Sequence, residues 1–161
     1  MTEERAVDAT VAAQELLEAW LHMSLTIRAN RVLNDLTFNQ MAVCNILKQE
    51  AAKGHAGLSA AELCSRTRLL KSQMNKELSG LEKKGLIIKA PDKADGRKII
   101  VSLADDQAAY DQEHARIMEL FGALTAHLGS QRTYELALSL KAATDAADQY
   151  LQGEQKGCRY E

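Results

Sequence analysis

The sequence predicts a mostly α-helical protein with one small β hairpin, and three observations carry this prediction. Apolar residues recur at helical spacing through most of the 161-residue chain, which has a single proline. Two short runs of β-type residues, 86–88 and 99–101, enclose a charged segment with one glycine. The chain is 46% hydrophobic and 26% charged, a balance typical of one globular domain rather than a disordered chain.

The first two predicted helices precede the region of interest. Residues 6–33 carry a broad apolar stripe that includes Val7, Val11, Leu16 and Trp20. A second helix begins after Thr37 or Asn39, either of which can cap it, and ends at Gly54. Its mostly buried residues are Met41, Val43, Cys44, Ile46 and Leu47.

The central segment predicts two helices joined by a short break. Ser59 and Glu62 have the spacing of a capping box, which opens a short helix with Leu63 and Cys64 facing inward. After a break near 66–69, a second helix runs from about 70 to 84 and stops at Gly85. At 100° per residue its inward face is Leu70, Met74, Leu78 and Leu81. Its outward face is Ser72, Lys76, Ser79 and Lys83, with Asn75 at the edge.

The hairpin follows, and then two more helices. Residues 105–129 form one helix with an apolar stripe of Ile117, Leu120 or Phe121, Leu124 and Leu128. Residues 131–151 form the last helix, which is expected to bury Leu136, Leu140, Ala143, Ala147 and Tyr150 or Leu151.

Charge is distributed unevenly along the chain. The formal net charge is only −2, yet residues 62–98 hold ten basic and five acidic side chains, against ten and seventeen elsewhere. This asymmetry predicts that one module binds a polyanion. No apolar run approaches the roughly 18 residues of a membrane span, and the N-terminus lacks a signal-peptide pattern, so we expect a cytoplasmic protein with no membrane partner.

A capped helix, a turn, a helix with a polar outer face and a charged hairpin follow the order of a winged helix-turn-helix DNA-binding domain. In such a domain the second helix enters the major groove and the hairpin, or wing, reaches the minor groove or the phosphates. Because two recognition helices must lie about 34 Å apart to enter successive grooves, we expect a homodimer. The surplus apolar stripes of the N- and C-terminal helices then form a helical dimerisation region. The predicted regions are a dimerisation helix (1–35), the DNA-binding domain (36–104), C-terminal dimerisation helices (105–152) and a flexible tail (153–161).

The same residues resemble the MarR family of transcriptional regulators. The matching segments are LTFNQMAV, LSAAELC, SQMNKELSGLEKKGLI and the wing DGRKIIVSL, over about residues 30–104. The resemblance implies an obligate homodimer on a pseudo-palindromic operator, with a ligand or redox input. It also implies a small-molecule effector pocket near Trp20, His22 and Arg28.

The outward stripe and the resemblance together predict which residues contact double-stranded DNA. Base-edge contacts are assigned to Ser72, Gln73, Asn75 and Lys76. Phosphate contacts are assigned to Arg68, Lys71 and Lys83, and to Ser59 at a helix N-terminus. In the wing, Arg97 is assigned to the minor groove with Asp95 holding its guanidinium, and Lys93 and Lys98 are assigned to neighbouring DNA.

Other function classes have less support in the sequence. Cys44 and Cys64 lie on apolar faces and Cys158 has no evident partner, which favours reduced, structural thiols. The four histidines are scattered, with only Glu113, His114 and Met118 near one another, so we expect neither a metal nor another cofactor. No glycine-rich phosphate loop or nucleophile elbow indicates an enzyme. The alternative to a sequence-specific regulator, in the simplest case a repressor, is a winged-helix protein-interaction module that has lost DNA binding.

Overall fold

The computed structural model describes residues 7–29, 32–92 and 95–157, with side chains described up to position 151. These residues form six helices and three short strands. The helices are α1 (Ala9–Ala29), α2 (Phe38–Ala52), α3 (Ala60–Thr67), α4 (Lys71–Lys83), α5 (Ala108–Leu128) and α6 (Ser130–Gly157). The strands are β1 (Leu58–Ser59), β2 (Ile87–Pro91) and β3 (Ile99–Leu103). The predicted fold class, mostly α with a small β wing, is confirmed.

Two capping boxes define where α2 and α3 begin. Thr37, not Asn39, caps α2: its hydroxyl accepts the Gln40 amide at 3.1 Å, and Gln40 Oε1 accepts the Thr37 amide at 3.3 Å. Ser59 caps α3 as predicted, because its hydroxyl accepts the Glu62 amide at 3.3 Å and Glu62 Oε2 accepts the Ser59 amide at 2.8 Å. Each box satisfies amides that a helix start would otherwise leave unpaired.

The wing belongs to a three-stranded antiparallel sheet of order β1-β3-β2, not to an isolated hairpin. Leu58 pairs with Val101, and Ser59 pairs with Ile100. A two-residue strand has too little sequence pattern to be predicted. Its approach to β3 requires glycine at position 57, where φ is +147° and an added Cβ would lie 2.3 Å from the Val101 carbonyl oxygen.

The core lies between the helix pair α3–α4, helix α2 and the sheet. Leu63, Met74 and Leu81 have no exposed surface. The other buried apolar residues around them include Val43, Cys44, Leu47, Leu58, Leu78, Leu86, Ile87 and Val101. Burial of Met74, Leu78 and Leu81 confirms the predicted inward face of α4, while Ile46 and Cys64 are only half-buried.

The predicted burial of Leu70 is wrong, since 69% of this side chain is exposed. Leu70 is the N-cap of α4, with φ −65° and ψ 151°, so its backbone is extended rather than helical. The 100° rotation per residue therefore applies only from Lys71 onward, and Leu70 does not continue the apolar stripe.

The apolar stripe predicted for α5 is mostly exposed to solvent in the single chain. Ile117 packs against the core, but Leu120, Phe121, Leu124 and Leu128 are exposed in the single chain. The buried residues of α5 are Tyr110 and Glu113 instead, in its first two turns. Glu113 Oε1 accepts the amides of Asn34 at 3.1 Å and Asp35 at 2.8 Å and lies 3.5 Å from Arg116 Nη1. Its Oε2 has no hydrogen-bond partner among the described residues.

The chain divides into two compact units, with the boundary after Ile117. In the first unit, α1 contains no buried residue, and its large apolar side chains are exposed except for the half-buried Ile27. In the second unit, the predicted burial in α6 does not occur in the single chain: Leu136, Leu140, Ala143, Ala147, Tyr150 and Leu151 are all exposed. Helix α6 continues to Gly157, past the position 151 that the pattern predicted. None of the helices in the described residues has the length and apolar character needed to cross a membrane.

Candidate nucleic-acid interface

The outer face of α4 is a continuous polar and cationic surface. Ser72, Lys76, Ser79 and Lys83 are all exposed, as the helical spacing predicted, and so is Asn75. The opposite face of the same helix is fully packed, so the outer face cannot turn inward without exposing the core. The helix therefore presents fixed hydrogen-bond donors and acceptors to solvent.

Gln73 is exposed but already has one partner. Its Oε1 accepts the amide of Leu70 at 3.1 Å, which caps the first turn of α4. Bidentate pairing with adenine needs both the oxygen and the nitrogen of a Gln side chain. Base readout by Gln73 would therefore require this cap to open, whereas Asn75 lies in the second turn and has no such role.

Arg68 and Lys71 lie on either side of the turn that leads into α4. Both are exposed, and Arg68 has the left-handed backbone conformation with φ 61°. Among the described non-glycine residues, Arg68 alone has a positive φ. The turn thus places two cationic side chains beside the N-terminal end of α4.

Ser59, Glu62 and Lys98 form a small polar cluster between α3 and the wing. Glu62 Oε2 accepts the Ser59 hydroxyl at 2.5 Å and lies 3.4 Å from Lys98 Nζ. The hydrogen bonds from Ser59, and then the Lys98 charge, hold the pKa of the Glu62 carboxyl below its usual value. The carboxylate occupies the donors that the sequence assigned to a phosphate, so a phosphate contact at Ser59 would require Glu62 to move.

The wing tip is organised by two aspartates. Asp92 Oδ1 accepts the Asp95 amide at 2.9 Å, and Asp95 Oδ1 accepts the Arg97 amide at 3.1 Å. The Arg97 side chain is 99% exposed, and its Nε is 3.9 Å from Asp95 Oδ1. Asp95 therefore shapes the turn more than it restrains the guanidinium. Lys93 lies outside the described residues.

A groove of about 310 Å³ separates α4 from the wing. Asn75 and Ser79 line its helix side, and Lys89, Ile99 and Val101 line its sheet side. Lys89 Nζ is 2.6 Å from Glu82 Oε2, an ion pair between β2 and α4. This ion pair thus holds α4 and the wing beside each other.

A charged cluster behind the interface fixes α2 against α3, and the sequence analysis did not find it. The buried carboxylate of Glu50 lies 2.8 Å from Arg66 Nη1, 2.8 Å from Lys53 Nζ and 2.6 Å from His55 Nδ1. Hydrogen bonds from Arg66, Lys53 and His55 strongly lower the pKa of Glu50. Lys53 and His55 are near Glu50 in the sequence, whereas Arg66 reaches it from α3 only after tertiary folding. The signal in the sequence was an acid on the buried face of α2, one turn after Leu47.

The residues considered for an effector pocket, a redox switch or a metal site are not part of this surface. Trp20, His22 and Arg28 are exposed on α1. Cys44 is fully buried, and burial raises the pKa of its thiol to about 11, which opposes a redox role. Cys64 is half-buried, and Cys158 lies outside the described residues. Within the described part of the chain, no three His, Cys, Asp or Glu side chains are grouped to hold a metal ion.

Comparison with known proteins identifies the domain. The MarR family model matches residues 34–98, the segment from the start of α2 to the wing. This segment, about two fifths of the chain, is similar to the MarR family. Among curated proteins, none matches the chain in sequence.

Solved structures of transcriptional regulators share the MarR-type fold of the chain. The PcaV regulator of Streptomyces coelicolor, solved with its natural ligand, is 24% identical, with a TM-score of 0.67 over 88% of this chain and 98% of that one. BldR of Sulfolobus solfataricus is 16% identical, with a TM-score of 0.66 over 88% and 99%. A mutant of S. aureus MepR bound to an oligodeoxyribonucleotide is 18% identical, with a TM-score of 0.53 over 83% and 97%. The fold of the chain is therefore one that solved transcriptional regulators share.

Proposed function

We propose that the protein is a homodimeric, sequence-specific transcriptional regulator, in the simplest case a repressor, acting in the cytoplasm on a pseudo-palindromic operator. The observation that carries this proposal is the exposed outer face of α4 beside an anchored wing. Asn75 and Lys76 are the side chains best placed to contact base edges, since both are exposed in the N-terminal half of the recognition helix.

The phosphate contacts that we propose surround this face. Lys71 and Arg68 lie at the N-terminal end of α4 and Lys83 at its C-terminal end. Arg97 projects from the wing with almost no protein contact, as a side chain that enters the minor groove must. Lys98 would act partly through Glu62, because that ion pair holds the wing against α3.

The exposed apolar faces support a homodimer. On α1 the exposed large apolar residues include Leu17, Trp20, Leu21 and Leu25, and on α6 they include Leu136 and Leu140. Such contiguous apolar surface is rare on monomers and typical of subunit interfaces. We propose residues 1–35 and 105–152 as the dimerisation regions, and a small-molecule effector site near Trp20, His22 and Arg28 by analogy with the ligand-bound PcaV structure.

The test is selection of bound fragments from a random DNA pool by the purified full chain, followed by affinity measurements on the selected DNA at several salt concentrations. We expect a two-fold symmetric motif, half-sites about 10 bp apart, and affinity that falls steeply with salt. Sedimentation should give a dimer at the same concentrations. Selection that returns no motif, with no salt-dependent binding, would support the protein-interaction alternative instead.

A further inference from the structure

The exposed side chain of Leu70 has no structural role that explains it. Among the described residues of the winged domain, it is the large apolar residue with the greatest exposure, 69%, against 53% for Phe38 and 50% for Ile88. It also occupies an N-cap, where Ser, Thr, Asp or Asn would stabilise the helix and Leu is among the least favourable choices. Residues that depart from such local sequence preferences are found mainly at functional or strained positions.

The backbone beneath Leu70 is held firmly. Its amide donates to Gln73 Oε1 at 3.1 Å, and its carbonyl accepts the Met74 amide at 2.9 Å. Met74 is in turn fully buried. Gln73 thus supplies the cap that a Leu side chain cannot, and the Leu70 side chain projects from a fixed point.

Leu70 is surrounded by the polar end of the recognition helix. Leu69 before it packs partly against the core, while its other near neighbours in the sequence, Arg68, Lys71 and Ser72, are all exposed. In helix-turn-helix docking this end of the second helix meets the base edges of the major groove. The apolar group displayed by the four standard bases in that groove is the C5-methyl of thymine.

We propose that Leu70 is a specificity-determining residue that contacts the methyl group of one thymine in each half-site. This inference rests on the proposed DNA-binding function and adds to it one base identity and the residue that reads it. Loss of one buried methyl contact corresponds to roughly a fourfold loss of affinity. A symmetric substitution in both half-sites should therefore reduce the affinity of the dimer about 15-fold.

The experiment removes the methyl group from the DNA and the apolar side chain from the protein. Each symmetric thymine pair of the selected operator is replaced in turn by uracil, and affinities are compared for the wild-type chain, Leu70→Ala and the matched control Ile88→Ala. We expect one thymine pair whose replacement by uracil lowers the affinity of wild type and Ile88→Ala about 15-fold. The same replacement should leave the affinity of Leu70→Ala unchanged. Leu70→Ser should also lose this discrimination while its melting temperature rises, because serine is a better N-cap.

The outcomes separate this inference from the function on which it rests. The methyl contact is wrong if wild type binds the operator with steep salt dependence but no uracil replacement lowers its affinity. It is also wrong if Leu70→Ala keeps the full uracil effect. In both cases the proposed DNA-binding function still stands. If there is no specific DNA binding, both proposals fall. A change of sedimenting mass in Leu70→Ser would also overturn the inference, because Leu70 would then lie between copies of the chain.

Discussion

The substitution Gly57→Ala should detach the wing from the strand that supports it. Gly57 has φ +147°, and an added Cβ would lie 2.3 Å from the Val101 carbonyl oxygen and 2.8 Å from Ile100 Cγ2. That backbone region is almost restricted to glycine and costs a residue with a side chain about 1–3 kcal/mol. Separating β1 from β3 loses about 1 kcal/mol more per hydrogen bond. We therefore expect a loss of about 2–4 kcal/mol in the free energy of unfolding.

Two other glycines supply graded controls for this measurement. Gly96 lies at the wing tip without a positive φ and with open space around it, so Gly96→Ala should be within about 0.5 kcal/mol of wild type. Gly54 has φ +83° but no atom within 4 Å of an added Cβ, so Gly54→Ala should cost only about 1 kcal/mol. Urea denaturation followed by far-UV circular dichroism, at one fixed protein concentration, measures all three. Equal midpoints for Gly57→Ala and Gly96→Ala would refute the reasoning.

Four further predictions concern the interface and the groups behind it. Arg97→Ala should lower DNA affinity on all sequences and reduce the slope of log affinity against log salt by about 0.9, whereas an unchanged slope would remove Arg97 from the interface. Asn75→Ala should cost about 1–3 kcal/mol at one base pair of the operator, and an equal loss on scrambled DNA would contradict base readout. The folded-state pKa of Glu50 lies below its unfolded value, so its stabilising contribution is present above about pH 4.3 and is lost as the pH falls below that value. The stability of Glu50→Gln, measured by circular dichroism, should therefore depend less on pH in the acid range than that of wild type. Because the Cys44 thiol has a pKa of about 11, peptide mapping at pH 8 should find it alkylated about a hundredfold more slowly in the folded than in the unfolded chain.

The sequence predicted the elements whose signals are local. The Ser59–Glu62 capping box, the inward residues Met74 and Leu78 of α4 and the two strands of the wing are each encoded within a few neighbouring residues. Periodicity and capping chemistry act over the same short distance as the hydrogen bonds that they describe. These features could therefore be located to within a few residues without a structure.

The features that the sequence did not predict depend on partners distant in the chain. Strand β1 exists because Leu58 pairs with Val101, and one oxygen of the buried Glu113 accepts amides from Asn34 and Asp35. Leu70 was misplaced because the helical wheel was extended by one residue across a helix boundary. In α6 the pattern identified the apolar face correctly as apolar, but a pattern cannot say whether the same chain or another molecule covers it.

Ser59 has three structural roles, and a substitution at this position would disturb all of them. It is the second residue of β1, the N-cap of α3 and, through Glu62, part of the link to Lys98. Replacing it would loosen the ribbon and shorten the helix together, so reduced operator affinity in such a variant would not demonstrate a lost phosphate contact. Strand β1 and the helix-turn-helix meet at Ser59 without an intervening linker, so a change at this residue alters the sheet and the helix pair together.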